Sequence, residues 1–160
     1  MWFEDFKIGS KMELGSYTFS EEEIIRFAKK YDPQPFHVDP EAAKNGPYGG
    51  LIASGWHTSA TWMKLMIALR QSTPRPAGDD SPQGGPSPGF FDMRWPNPVR
   101  AGDTITYSAE CVELVPLKSR PEWGIVRHRN EGFNQDGKMV FHFIGQGLMP
   151  RRDPGDDIPS

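Results

Sequence analysis

The sequence predicts an α+β protein, with four or five strands around one buried helix. Three observations lead there. Helical patterns crowd the first half of the chain, alternating strand patterns crowd the second, and a stretch rich in proline and glycine divides them. That stretch, residues 72–89, holds Pro74, Pro76, Pro82, Pro86 and Pro88 without apolar periodicity, so it cannot be a helix or a central strand. The helical half alone is too short to close a core. The 160 residues therefore read as one domain over 1–149 with a long surface loop at 72–89, and 150–160 as a flexible tail.

The first helix begins after Ser20. Its hydroxyl can cap the free amides, and Glu23 can complete a capping box. Ile24, Phe27, Ala28 and Tyr31 then mark one face, and Pro33 and Pro35 end the helix. A second helix is expected over about 55–71. Its apolar residues, from Trp56 through Met63 and Met66 to Leu69, cover nearly the whole circumference, which predicts burial inside a curled sheet. Strands are expected at 90–95, 104–114, 123–133 and 138–149, with 11–19 as one more. In the second of these Ile105, Tyr107, Ala109 and Cys111 alternate toward the core, and Asp136-Gly137 supplies a turn between the last two.

Composition excludes several function classes. Aromatic residues are 12% of the chain, enough bulk for a core. The net charge of −3 leaves no basic surplus for a nucleic-acid backbone. One cysteine rules out an internal disulfide and a Cys-rich metal site. No apolar run reaches membrane-spanning length, and the N-terminal residues lack a signal-peptide pattern. A soluble cytoplasmic protein is expected.

The chemistry concentrates in two segments. In Tyr31-Asp32-Pro33-Gln34-Pro35-Phe36-His37, two prolines stiffen a stretch read as non-helical that carries a carboxylate and an imidazole. That pair suits proton transfer at neutral pH, and rigid placement favours it. Spacing alone equally allows Asp32 to cap a turn and His37 to pack. The second segment is Gly49-Gly50-Leu51-Ile52-Ala53-Ser54-Gly55-Trp56-His57, entering the long helix. Ser54 can cap it. The first free amides, at Gly55 and its neighbours, can stabilise an oxygen that becomes negative, with glycine allowing close approach.

Other residues read more plainly. Asp39 before Pro40 looks like the cap of a short helix, and His57 would pack or bond to backbone. His37, Asp39 and His57 fit no common metal-ligand spacing. His128 and His142 look like ordinary strand residues, and Cys111 like a buried thiol. Gly49-Gly50 lacks the following Lys-Ser/Thr of a phosphate loop, and Ser54 lacks a nucleophile elbow.

Together the two segments resemble the MaoC-like dehydratase family, which includes the (R)-specific enoyl-CoA hydratases. The family motif Asp-x-Asn-Pro-x-His is met by Asp32, Pro35 and His37, with Gln34 in the place of Asn and Gly55 opening the helix downstream. Gln34 is expected to shape the turn. The resemblance implies a hotdog fold, a long helix wrapped by an antiparallel sheet, and a homodimer or higher homo-oligomer. It also implies reversible hydration of a 2-enoyl thioester, on coenzyme A or another acyl carrier, with no metal or redox cofactor. Asp32 and His37 would be catalytic, Asp32 removing a proton from a shared water that His37 orients, or the two with these roles reversed, and the Gly55 amide would receive the thioester oxygen. A hotdog thioesterase and a non-catalytic acyl-thioester-binding protein are the rival functions. The 72–89 loop is expected near the pocket mouth or the dimer edge.

Overall fold

The computed structural model describes residues 1–154. After a 3-10 turn at Phe3–Asp5, the chain forms β1 (Lys11–Thr18), α1 (Glu21–Tyr31), α2 (Pro35–Val38), α3 (Pro40–Lys44) and α4 (Gly55–Ser72). Four strands follow: β2 (Phe90–Arg94), β3 (Thr104–Pro116), β4 (Trp123–Phe133) and β5 (Met139–Pro150). They make one antiparallel sheet in the order β1-β3-β4-β5-β2, with α4 against its inner face. This is the hotdog architecture, and every expected strand is present within a residue or two.

Local chemistry explains the boundaries. Ser20 accepts the Glu23 N–H and opens α1. The β4–β5 hairpin turns at Asp136-Gly137, where Gly137 has φ +74°, a region costly for a residue with a Cβ. Alternation along β3 sends Ile105, Tyr107, Ala109 and Cys111 inward, all essentially buried. Phe141, Phe143 and Val140 of β5 join Phe19, Ile24 and Met66 in the main core. Each such side chain contributes about 1.5–3 kcal/mol on burial. The Tyr107 hydroxyl, buried among them, donates to the Thr58 carbonyl at 3.0 Å and so ties β3 to α4.

Three expectations need correction. The sheet and α1 cover one side of α4, burying His57, Thr58, Thr61 and Met66, while Trp56, Met63 and Ile67 stay 39–56% exposed. One curved five-stranded sheet can bury a helix face but cannot enclose the helix. Tyr31, placed on the apolar face of α1, is 62% exposed. The 72–89 loop starts at the far end of α4, about 26 Å from Gly55 by helical rise. It runs along the β5 edge, with Gly85 N–H on the Leu148 carbonyl, and its Asp79 and Ser81 hold the N-terminal amine. The tail begins anchored. Arg151 N–H donates to the Glu122 carbonyl at 2.9 Å and the buried guanidinium lies over Phe3 and against Glu4. Residues 155–160 of the expected tail lie outside the described residues. Among the described residues no helix is long and apolar enough to cross a membrane.

Candidate active site

Asp32 stands where α1 stops. Its backbone N–H still closes onto the Ala28 carbonyl, but φ −152° and ψ 66° take it out of the helix, as the following Pro33 requires. The chain then makes one helical turn rather than the expected non-helical stretch. Pro35 fits the first position of α2, where its missing N–H costs nothing, and the turn carries His37 back toward Asp32.

The two side chains meet, with His37 Nε2 lying 3.3 Å from Asp32 Oδ2. His37 is 5% exposed. Its Nδ1 lies 2.7 Å from the Ile52 carbonyl, which can only accept, so Nδ1 carries a hydrogen and Nε2 is the ring nitrogen turned toward the carboxylate. Ile52 is itself held by its N–H on the Phe36 carbonyl at 3.0 Å, and the Phe36 ring packs edge-on against the imidazole. The imidazole therefore has little rotational freedom.

Asp32 is pinned from both sides. Gln34 Nε2 donates to Oδ1 at 2.7 Å, and the buried Ser54 hydroxyl donates to Oδ2 at 2.6 Å. Burial works against the charged carboxylate. The hydrogen bonds from Ser54 and Gln34 and the nearby His37 outweigh it and hold Asp32 below its ordinary range. Ser54 Oγ also accepts the Trp56 N–H at 3.3 Å, capping α4. The neighbouring Gly55 N–H, first of the helix, has no acceptor among the described residues. The side of Gly55 is not open as expected. A Cβ there would meet the Trp95 indole at 2.6 Å, so glycine admits a tryptophan rather than a ligand at that point.

Asp32, His37 and the opening of α4 thus come together. Sequence reasoning missed two partners of Asp32, treating Gln34 as a turn residue and Ser54 as a cap only. A side-chain amide two residues from the acid was the available signal for Gln34; none existed for Ser54. The remaining candidates are elsewhere. Asp39 Oδ1 accepts the Glu41 and Ala42 N–H groups and caps α3. His57 stacks on Phe27 at 4.6 Å, 8% exposed, and burial pushes it down to about 4. Among the described residues these side chains do not gather with His37 into a metal-ligand group. Cys111 is buried, which pushes its thiol up. His142 is less ordinary than expected, since it sits 3.3 Å from Asp92 and 3.8 Å from Glu131.

Comparison with known proteins adds to this geometry. The model of the MaoC-like domain matches residues 5–123, which takes in α1 to α4 and the whole candidate site. The chain belongs to the MaoC-like domain family. Among MaoC-like and related sequences, it is 33% identical over 141 residues to the uncharacterized protein YdeM of Bacillus subtilis, covering 88% of this chain and 93% of YdeM. It is 30% identical to the (R)-specific enoyl-CoA hydratase of Rhodospirillum rubrum, over 73% of this chain and 74% of that enzyme. The crystal structure of a MaoC-like dehydratase from Rhodospirillum rubrum superposes with a TM-score of 0.81 at 34% identity, over 96% of this chain and 99% of the other. This MaoC-like chain therefore shares both fold and sequence with proteins described as hydratases or dehydratases.

Proposed function

We propose that this MaoC-like protein is a hydratase/dehydratase interconverting 2-enoyl and 3-hydroxyacyl thioesters, with coenzyme A as carrier. The observation that carries the reading is the convergence of Asp32 and His37 beside the free Gly55 N–H at the start of α4. The similarity to the Rhodospirillum rubrum hydratase supports it.

The geometry suits a single water. Asp32 Oδ2 and His37 Nε2 both present lone pairs, so one water can donate a hydrogen to each and keep its oxygen lone pair for carbon 3 of the enoyl group. An imidazole nitrogen is intrinsically the stronger base, and Asp32 is held in its charged form, so the water's proton passes to His37 Nε2 while Asp32 orients the water. The hydroxyl bonds to carbon 3 and the electron pair of the double bond moves onto the thioester oxygen. The Gly55 N–H receives that oxygen with the partial positive charge of the helix N-terminus, a contribution of about 3 kcal/mol for a donor of this kind. The proton on His37 is then delivered to carbon 2. Dehydration follows the same path backward.

A homodimer belongs to the same reading. Trp56, Met63 and Ile67 of α4 stay exposed, with Trp95 packed on Trp56 and the exposed Phe90 on β2, a strand whose outer edge is unpaired, and a second copy of the chain would cover this surface. Met63→Lys with Ile67→Lys is expected to turn a dimer into a monomer in light scattering. A wild-type chain that stays monomeric at tens of micromolar would refute this part. A cytoplasmic setting accords with the lone buried thiol of Cys111.

The test of activity is hydration of crotonyl-CoA, followed by loss of enoyl absorbance and formation of 3-hydroxybutyryl-CoA. Release of free thiol instead would identify a thioesterase. Saturable binding of enoyl thioesters of several chain lengths with no turnover would identify a binding protein.

A further inference from the structure

A second feature lies beside the catalytic pair. α1 and α4 run antiparallel, with the end of α1 at the start of α4, as the Asp32–Ser54 and Phe27–His57 contacts show. Between them opens a groove of about 420 Å³. One end of it is at Tyr31, adjacent to Asp32, and at His57, in the first turn of α4. The other end is at Tyr17 and Lys64. The reaction described above makes no use of this groove.

Its charge is opposite to that of the chain. The protein carries a net −3, yet Arg26, Lys30 and Lys64 line the groove against one carboxylate, Glu23. Glu23 is already engaged, accepting from the Tyr17 hydroxyl at 2.7 Å and the Ser20 hydroxyl at 3.2 Å, with Arg26 at 3.5 Å. The two lysines make no ion pair among the described residues. Their ammonium groups lie over aromatic rings, Lys30 at 5.2 Å from the Tyr31 ring centre and Lys64 at 4.9 Å from that of Tyr17. His57 walls the groove in its neutral form and adds no charge.

The cations stand away from the reacting atoms. By helical rise Arg26 is about 9 Å along α1 from Asp32, and Lys64 about 14 Å along α4 from Gly55. A substrate that fills both places needs a neutral, flexible arm between its reacting carbon and its anionic groups. Coenzyme A has that form, because the pantetheine arm separates the thioester from the pyrophosphate and the 3′-phosphate. The tyrosine rings offer flat surfaces for the adenine.

We propose that the α1–α4 groove binds the phosphate-bearing nucleotide end of a coenzyme A thioester through Arg26, Lys30 and Lys64. This rests on the reading of the protein as acting on coenzyme A thioesters, and it adds which surface recognises the carrier. Arg26 and the lysines take the phosphate oxygens, Arg26 leaving its long contact with Glu23 to do so.

The test compares the wild type with the triple variant Arg26→Gln, Lys30→Gln, Lys64→Gln. All three positions are solvent-exposed, and thermal unfolding of the variant checks that it folds. Crotonyl-CoA and crotonyl-pantetheine are compared as substrates. The wild type is expected to prefer the coenzyme A thioester through a lower KM, and the variant to lose that preference by roughly tenfold or more. Calorimetry with adenosine 3′,5′-bisphosphate should show binding to the wild type that weakens with salt and is lost in the variant. An unchanged preference, or equal binding of the bisphosphate by both proteins, would overturn the proposal while leaving the hydratase reading intact. Loss of activity confined to an enoyl thioester on an acidic carrier protein would overturn it in favour of a protein partner. Should the wild type hydrate no enoyl thioester, the hydratase reading fails, and bisphosphate binding alone then decides whether the groove is a nucleotide site.

Discussion

Ser54 provides the sharpest test of the candidate site, because one hydroxyl serves two separable purposes. It donates to Asp32 Oδ2 at 2.6 Å and accepts the Trp56 N–H at the start of α4. Ser54→Ala removes both contacts; Ser54→Gly removes the hydroxyl but keeps a residue tolerated at a helix N-cap. The hydrogen bond to the ionised carboxylate is short and fully buried on the serine side, so its loss should weaken catalysis by about 1.5–3 kcal/mol, roughly ten- to a hundredfold in kcat/KM. The cap contributes about 1 kcal/mol to stability in the alanine variant and only a few tenths in the glycine variant. The hydrogen bond also holds the Asp32 carboxyl below its ordinary range, so without it that pKa rises in both variants. The assay is crotonyl-CoA hydration across pH, with denaturant unfolding measured alongside. Equal rate losses with unequal stability losses are expected. Rates within twofold of wild type in both variants would refute the positioning role.

Further outcomes follow from the same geometry. Asp32→Asn and His37→Ala should each lower turnover by about 10²–10⁴-fold with near-normal far-UV circular dichroism, and near-normal activity in either would refute the assigned chemistry. Gly55→Ala should cost about 1–3 kcal/mol, because the new Cβ meets Trp95 at 2.6 Å. Adding Trp95→Ala should recover part of that loss in chemical denaturation, and strictly additive losses would show that the two do not press on each other. His57 has a folded pKa pushed down to about 4 from 6.5, so the unfolded chain takes up a proton that the folded chain refuses. Stability should therefore fall as pH drops from above 6.5 toward 4, by up to about 3 kcal/mol. His57→Leu should flatten that slope in urea titrations, and an unchanged slope would place the acid sensitivity elsewhere. Asp32 acts in a different window, its stabilisation being present above about 3.8 and lost as pH falls through its depressed folded value.

Much of this protein is written locally. The caps at Ser20, Asp39 and Ser54, the alternation in β3, and the Asp136-Gly137 turn all act within a few residues, so a linear pattern carries them. The same holds for Asp32 and His37. They are five positions apart, with Pro33 ending one helix and Pro35 starting the next, and those short-range constraints bring the two side chains together. Tertiary structure decided what surrounds them. The Ile52 carbonyl that sets the His37 tautomer is 15 residues away, and the Ser54 hydroxyl on Asp32 is 22 away. Trp95 reaches Gly55 from the strand side of the long loop, and α1 meets α4 to open the cationic groove. No repeat or spacing encodes such meetings, because loops join the segments and only packing on the sheet sets their final distance. The long helix shows the division most plainly. Its composition determined that apolar surface would need cover, and only the sheet's finite width decided which face stayed open.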